Sequence, residues 1–315
     1  MTQRKTESGA FKHEHGGNIP GTSKPAYSLF SSTNTPLPIV IAVPHAGRQY
    51  PPYIIETMRD FSYANLKLED RFVDVLGSAI ARNTGSSLII ANAPRAMIDL
   101  NRAKDDIDWD MVIGAKSGEL LKSQANKRAR SGLGLIPRRL PGFGEIWRTK
   151  LTEDEVSSRI RSVYDPYHSV VCNEITKTKE IWGSALLIDL HSMPPLKQQP
   201  DGNKPPKFVI GDRFGSSCSA LLSAYAYEYL QMNGQPVSHN RPYAGGYVLD
   251  THAAPQRGIH AMQIEICRST YLDQRQDEIS PRAGSIIKLM SDLVSELGRR
   301  LLDLGPHRDL SEAAE

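Results

Sequence analysis

The chain has 315 residues, 39% hydrophobic and 23% charged, the make-up of an ordinary globular protein with room for one large α/β domain or two modest ones. A net charge of +3, with arginines spread along the chain, gives no electrostatic case for nucleic acid or a membrane surface as partner, and no apolar run approaches the length of a membrane helix. The three cysteines, Cys172, Cys218 and Cys267, form no CxxC pair, and an odd number argues against a disulfide framework, so a reducing cytoplasm is the natural compartment.

Residues 1–24 are polar, rich in Gly and His, and lack the apolar region of a signal peptide; they are expected to be a disordered tail, with 25–315 a single α/β domain. Ile39–Val43 reads as a buried strand that runs into Pro44-His45-Ala46-Gly47. A helical patch opens at Pro51-Pro52 and runs to about Arg59. Phe72, Val75, Leu76, Ala79 and Ile80 then recur at helical spacing, predicting a helix from Leu68 to Asn83 that Thr84-Gly85 ends. Ser87–Ala91 is a second short strand and Met97–Leu100 a third. Residues 103–150 are polar and rich in Gly and Pro, the composition of a lid, a binding loop or a variable insertion. Thr152 followed by Glu155 has the form of a capping box, and a long amphipathic helix runs from there to about Thr176.

The stretch Ala185–Leu190 is another buried strand, bounded by Gly183 and Pro194-Pro195, and it carries the chain into Asp189-Leu190-His191-Ser192. Phe208–Gly211 is a short strand, Ser216–Asn233 a helix ended by Gly234, Val248-Leu249 a strand, and 281–302 a final helix. In the strand Ala261–Ile266, alternation puts Ala261, Gln263 and Glu265 on one face. Strands alternating with helices predict a three-layer α/β sandwich around a mixed, mostly parallel sheet.

Two buried strands therefore each deliver one imidazole, His45 and His191, at the end where open α/β sheets place their ligands. The pair points to a metal centre, because zinc favours imidazole and carboxylate. Asp189 shares the strand face of His191, and a carboxylate there can fix the ring's tautomer. A hydrolytic site needs a third ligand; Asp70 is the candidate, with Glu69 its neighbour and rival, both near a helix start. Glu265, a carboxylate inside an apolar strand, is the candidate general base, since burial raises its pKa toward the working range. Arg95, Arg102 and Arg241 are candidate contacts for an anionic substrate, and Gly245-Gly246 suits close approach of backbone to a ligand. GxSxG, Walker A, GxGxxG and HExxH are all absent, which removes several other catalytic scaffolds.

Taken in order, Pro44-His-Ala-Gly47, Asp70, Arg95-Ala-Met-Ile-Asp-Leu-Asn-Arg102, Asp189-Leu-His-Ser-Met193, Gly211-Asp-Arg-Phe-Gly215, Arg241-Pro-Tyr-Ala-Gly-Gly-Tyr247 and Gly258–Ile266 give the chain its character. From about residue 37 to 300 it resembles the N-formylglutamate amidohydrolases. The resemblance implies a phosphorylase/hydrolase-like fold related to zinc exopeptidases and hydrolysis of N-formyl-L-glutamate to formate and L-glutamate, a step of histidine degradation. It implies a Zn²⁺ ion on His45, Asp70 and His191, Glu265 as acid/base, and Arg95 beside it. Asn101, Arg102, Arg241, Gly245, Gly246 and His252 would then meet a small anionic N-acyl amino acid. His252 is offset by about one residue from the family's usual histidine. Another zinc amidohydrolase acting on a different N-acyl amino acid or a peptide, or a binding protein on the same fold, are the competing readings.

Overall fold

A computed structural model describes residues 11–32, 35–115, 127–197 and 204–305. Among the described residues there are ten strands: β1 Phe11–Gly16, β2 Tyr27–Ser32, β3 Ile39–Val43, β4 Ser87–Ala91, β5 Arg139–Leu140, β6 Gly144–Glu145, β7 Ala185–Met193, β8 Phe208–Gly211, β9 Val237–His239 and β10 Ile259–Cys267. Eight form one sheet in the order β1-β2-β4-β3-β7-β10-β8-β9, and β5 and β6 form a separate hairpin. At its centre β4, β3, β7 and β10 run parallel. Antiparallel partners flank them, β2 beside β4 and β8 beside β10.

The helices are α1 Pro52–Thr57, α2 Phe61–Leu68, α3 Val73–Thr84, α4 Lys127–Arg130, α5 Glu153–Arg159, α6 Asp165–Trp182, α7 Ala220–Met232, α8 Tyr247–His252 and α9 Ala283–Asp303. Alternate residues of the central strands feed two separate cores. Ile39, Ile41, Val43, Leu186, Ile188 and Leu190 pack with α3, α7 and α9. Val40, Ala42, Ala185, Leu187 and Ala261 pack with residues of α1, α2, α5, α6 and α8. The result is the three-layer α/β sandwich that the alternation of elements predicts.

At the start of α5 local chemistry sets the boundary. The Thr152 hydroxyl accepts from the Glu155 amide while the Glu155 carboxylate accepts from the Thr152 amide, a complete capping box at the start of α5. A π-helical turn over Ile160–Tyr164 joins α5 to α6, so the expected long helix continues to Trp182.

Four expectations are corrected. Residues 11–24 are ordered rather than disordered: β1 pairs antiparallel with β2 along its whole length, because ladder partners on β2 satisfy its backbone groups. The first ten residues of the expected tail lie outside the described residues, as do 116–126 of the expected loop. Met97–Leu100 pairs with no strand; Asp99 donates its amide to Leu135 O and turns its carboxylate back to the Asn101 amide. Val248-Leu249 lies in α8, whose first turn bonds Leu249 N and Asp250 N to Gly246 O; two apolar residues carry no period with which to tell strand from helix. The helix expected from Leu68 is broken, α2 ending at Leu68 and α3 beginning at Val73. In the gap the Asp70 amide bonds to His45 O at 2.9 Å, and Phe72 adopts φ 59°.

Candidate active site

That break in the helix presents Asp70 to the two strand-end histidines. His45 follows β3, His191 lies near the end of β7, and both are 2–3% exposed, as is Asp70. Asp70 Oδ2 lies 2.9 Å from His191 Nδ1 and 3.7 Å from His45 Nδ1. The rings meet edge to face with centroids 4.7 Å apart. One donor atom from each of the three residues lies within 4.8 Å of the others.

Each imidazole is held from behind by a carboxylate. His45 Nε2 donates to Asp99 Oδ1 at 2.8 Å, and His191 Nε2 lies 2.9 Å from Asp189 Oδ2. A proton held at Nε2 leaves Nδ1 as the nitrogen with a lone pair, aimed into the cluster. His45 Nδ1 is buried there without a hydrogen-bond partner. His191 carries a carboxylate at each nitrogen; burial lowers its pKa, but Asp189 and Asp70 outweigh that and hold it well above the usual value. Its second proton sits between Nδ1 and Asp70, where a cation would replace it. Burial also raises the Asp70 carboxyl, yet the hydrogen bond from His191 and the charges of His191, His45 and Arg95 bring it down to about 2. An orphaned imidazole nitrogen, a second imidazole and an ionised carboxylate fit a divalent metal with nitrogen and oxygen preference, zinc among them. Glu69 stays outside the cluster, 3.6 Å from Arg71.

Asp99 was not anticipated as a site residue. Its two oxygens bridge His45 Nε2 and Arg95 Nε, the latter at 2.9 Å, and it also accepts from the Asn101 amide. Burial raises its pKa, but Arg95, His45 and Arg102 outweigh this and hold it well below the carboxylate range. The available signal was an acid flanked by apolar residues in Met97-Ile98-Asp99-Leu100.

Glu265 lies on β10 in register with His191 on β7. Burial raises its pKa to about 7, opposed by the charges of His191 and Arg95 and reinforced by Asp70 and Asp189. Its Oε1 accepts from Gln263 Nε2 at 2.9 Å, and Gln263 Oε1 in turn accepts from Asn101 Nδ2 at 3.2 Å. Asn101 Oδ1 accepts from the Val248 amide, and a Cβ on Gly246 would stand 2.5 Å from that oxygen. Gly246 is therefore needed where backbone crosses Asn101. Arg268 is no partner for Glu265; it donates to Leu66 O, Glu69 O and Ser192 Oγ.

These residues open into a cavity of about 660 Å³, lined also by Arg95, Arg102, Gly245 and Gly246. Arg102 is aligned by donating to Leu133 O and Asn101 O, which ties it to the long loop. Two of the expected substrate contacts are corrected. Arg241 is exposed and does not line the cavity, although its neighbours Asn240, Pro242 and Tyr243 do. His252 ends α8 behind the site, 2.9 Å from His168 Nδ1 on α6, and burial lowers its pKa to about 4. Arg213, Phe214 and Tyr243 line the cavity without having been anticipated.

The family model for N-formylglutamate amidohydrolase matches residues 37–272, most of the chain and all of the residues of this site. The chain belongs to the N-formylglutamate amidohydrolase family. It is similar to N-formylglutamate deformylases from Pseudomonas aeruginosa, 26% identical over 280 residues with 86% of this chain and 95% of the relative covered, and from Pseudomonas putida, 26% identical with 82% and 93% covered. Among solved structures it resembles the N-formylglutamate amidohydrolase of Ralstonia eutropha JMP134, with TM-score 0.79, 28% identity, and 88% and 99% of the chains covered. A gene product of Agrobacterium tumefaciens shares the fold at TM-score 0.60 and 16% identity, covering 86% and 96%. Within the family model's span, His45 and Glu265 lie near opposite ends, so the fold rather than local sequence assembles the site. Among the described residues no helix is long and apolar enough to cross a membrane.

Proposed function

We propose that this member of the family is a zinc-dependent deformylase that hydrolyses N-formyl-L-glutamate to formate and L-glutamate. The observation that carries the reading is Glu265: a buried carboxyl with its pKa raised to about 7, on the strand next to three side chains whose donor atoms converge as a metal would need, in a cavity lined by arginines. His45 Nδ1, Asp70 and His191 Nδ1 would hold the ion. When bound, zinc supplies a Lewis acid and a water of lowered pKa.

Glu265 takes a proton from the attacking water, a task suited to a base whose pKa lies near neutrality. Gln263 holds Oε1, which leaves Oε2 to face the reacting atoms. The water oxygen bonds to the formyl carbon, and the carbonyl oxygen gains the negative charge. Arg95, fixed through Nε by Asp99 and making no other hydrogen bond among the described residues, turns its two terminal nitrogens to that charge. Glu265 then returns its proton to the amide nitrogen as the carbon–nitrogen bond breaks, freeing formate and the amino group of glutamate. Arg102, with Nε and Nη1 committed to backbone carbonyls, offers Nη2 to a substrate carboxylate.

A substrate panel tests the reading. Formate release from N-formyl-L-glutamate is expected to exceed acyl release from N-acetyl-L-glutamate and from longer N-acyl glutamates. The cavity volume of about 660 Å³ lies in the range of larger ligands and favours a longer N-acyl amino acid as the second reading. Faster turnover of those substrates would replace the first reading with the second.

A further inference from the structure

The loop after β8 holds two neighbouring side chains in an unfavourable backbone conformation at the mouth of the cavity. Arg213 and Phe214 adopt φ 54° and 56°, the left-handed region that bulky residues avoid. The loop is tied down from beneath. The Asp212 carboxylate is buried, accepts from Asn240 Nδ2 at 2.7 Å and the Gly215 amide at 3.0 Å, and lies 2.9 Å from His239 Nε2. Asn240 Oδ1 accepts in return from the Asp212 amide, and the Arg213 amide donates to Ala244 O at 2.8 Å. Backbone strain persists where surrounding bonds over-determine it, and it concentrates at ligand-binding sites.

What this strained pair presents is specific. Phe214 is 71% exposed, an apolar ring that lines the cavity with its face open. The Arg213 stem lies across Gly245, where a Cβ would approach its Cδ to 3.3 Å. Arg213 Nε is committed to Asp250 Oδ1 at 2.6 Å, while its two Nη nitrogens make no hydrogen bond among the described residues. Asp250 therefore orients the guanidinium and leaves free the paired end that takes a carboxylate in bidentate fashion. Through Gly245-Gly246 this rim is continuous with Asn101, Gln263 and Glu265.

We infer that Arg213 and Phe214 are the specificity-determining rim of the cavity, selecting N-acyl amino acids with a second carboxylate at the end of the side chain. The guanidinium takes that distal carboxylate, and the ring covers the methylenes leading to it. The inference rests on the deformylase reading for the reaction, but not for the binding.

The test compares wild type with Arg213→Met, which keeps the stem and removes the charge. Selectivity, read as the ratio of kcat/KM for N-formyl-L-glutamate over N-formyl-L-norvaline, should fall by ~10- to 100-fold in the variant, mostly through KM, the loss of one charge-assisted contact. Arg213→Lys should recover part of it. A role in structure alone would lower both substrates together and leave the ratio intact, which overturns the inference. Calorimetry of the zinc-loaded protein with glutarate and with butyrate gives a readout independent of turnover. Wild type should prefer glutarate, and Arg213→Met should lose the preference. If wild type hydrolyses neither formyl substrate, the deformylase reading fails and calorimetry alone decides; equal glutarate affinity in the two proteins rejects the rim. Phe214→Gly, which relieves the strain, should melt no lower than wild type yet show KM raised several-fold. An unchanged KM removes Phe214 from the rim.

Discussion

The two faces of the central sheet come from the same strands and differ completely. On β7, Leu186, Ile188 and Leu190 face α3, α7 and α9 and are apolar throughout. On the opposite face Ala185 and Leu187 begin as core, and then Asp189 and His191 follow at the same spacing. β10 repeats this: Met262, Ile264 and Ile266 face one core, while Ala261 gives way to Gln263 and Glu265 on the other. One face is uniform and stabilises; the other changes from apolar to ionisable halfway along the strands, and the change marks the floor of the site. Buried ionisable groups are costly unless paired or functional, so this half-face weakens the fold locally in return for chemistry.

Substitutions on the two faces should separate turnover from stability. The largest effect belongs to Glu265→Gln, expected to lower kcat by ~10²- to 10⁴-fold while zinc still binds, as measured by formate release beside metal content. The base must be ionised, so wild-type activity should fall as pH drops below about 7, with the midpoint moved lower by a bound cation. In metal-free protein the same raised pKa means that the folded state holds a proton which the unfolded state has lost between pH 4.5 and about 7. The contribution of Glu265 to stability should therefore decline across that window as pH rises. Glu265→Gln should gain on wild type there in thermal melts, and a constant difference would refute burial as the cause of the raised pKa.

Next comes Ile188→Ala on the opposite face. Ile188 is fully buried, so denaturant titration should show a loss of ~2–5 kcal/mol, with kcat close to wild type. A large fall in kcat at preserved stability would break the division between faces. The smallest effects are expected behind the proposed metal ligands. Asp99→Asn and Asp189→Asn should each weaken zinc binding by roughly 10- to 100-fold without unfolding the chain, measured by competition with a chelating dye. Equal zinc affinity in wild type and both variants would show that these carboxylates do not orient the histidines.

The sheet face that carries the chemistry was legible in the sequence because alternation within an apolar strand is local. His191 and Glu265 each interrupt such a run, and period two assigns the face; His45 follows the end of β3, where the strand's period no longer applies. Asp70 and Glu69 could not be separated this way, since they are neighbours at a helix edge. The choice follows from the break between α2 and α3, which ties the Asp70 amide to His45 O. Asp99 reaches His45 across 54 residues, a contact that no local pattern encodes. The helical Val248-Leu249 segment and the outward turn of Arg241 depend on loops around Gly246 and Asn240, whose conformations are set by tertiary hydrogen bonds. Arg213 stood inside a recognised motif, but its aim depends on Asp250 and on Gly245, where a Cβ would crowd the Arg213 stem and Leu249.

The central claim is that His45, Asp70 and His191 together hold one metal ion on which turnover depends. Its most direct test is a zinc titration of chelator-stripped protein, followed by formate release from N-formyl-L-glutamate. Activity should be absent in the stripped protein, rise in proportion to added zinc, and reach its plateau at one equivalent per chain. Full activity in the stripped protein, or a plateau reached equally by His191→Ala, would contradict the account.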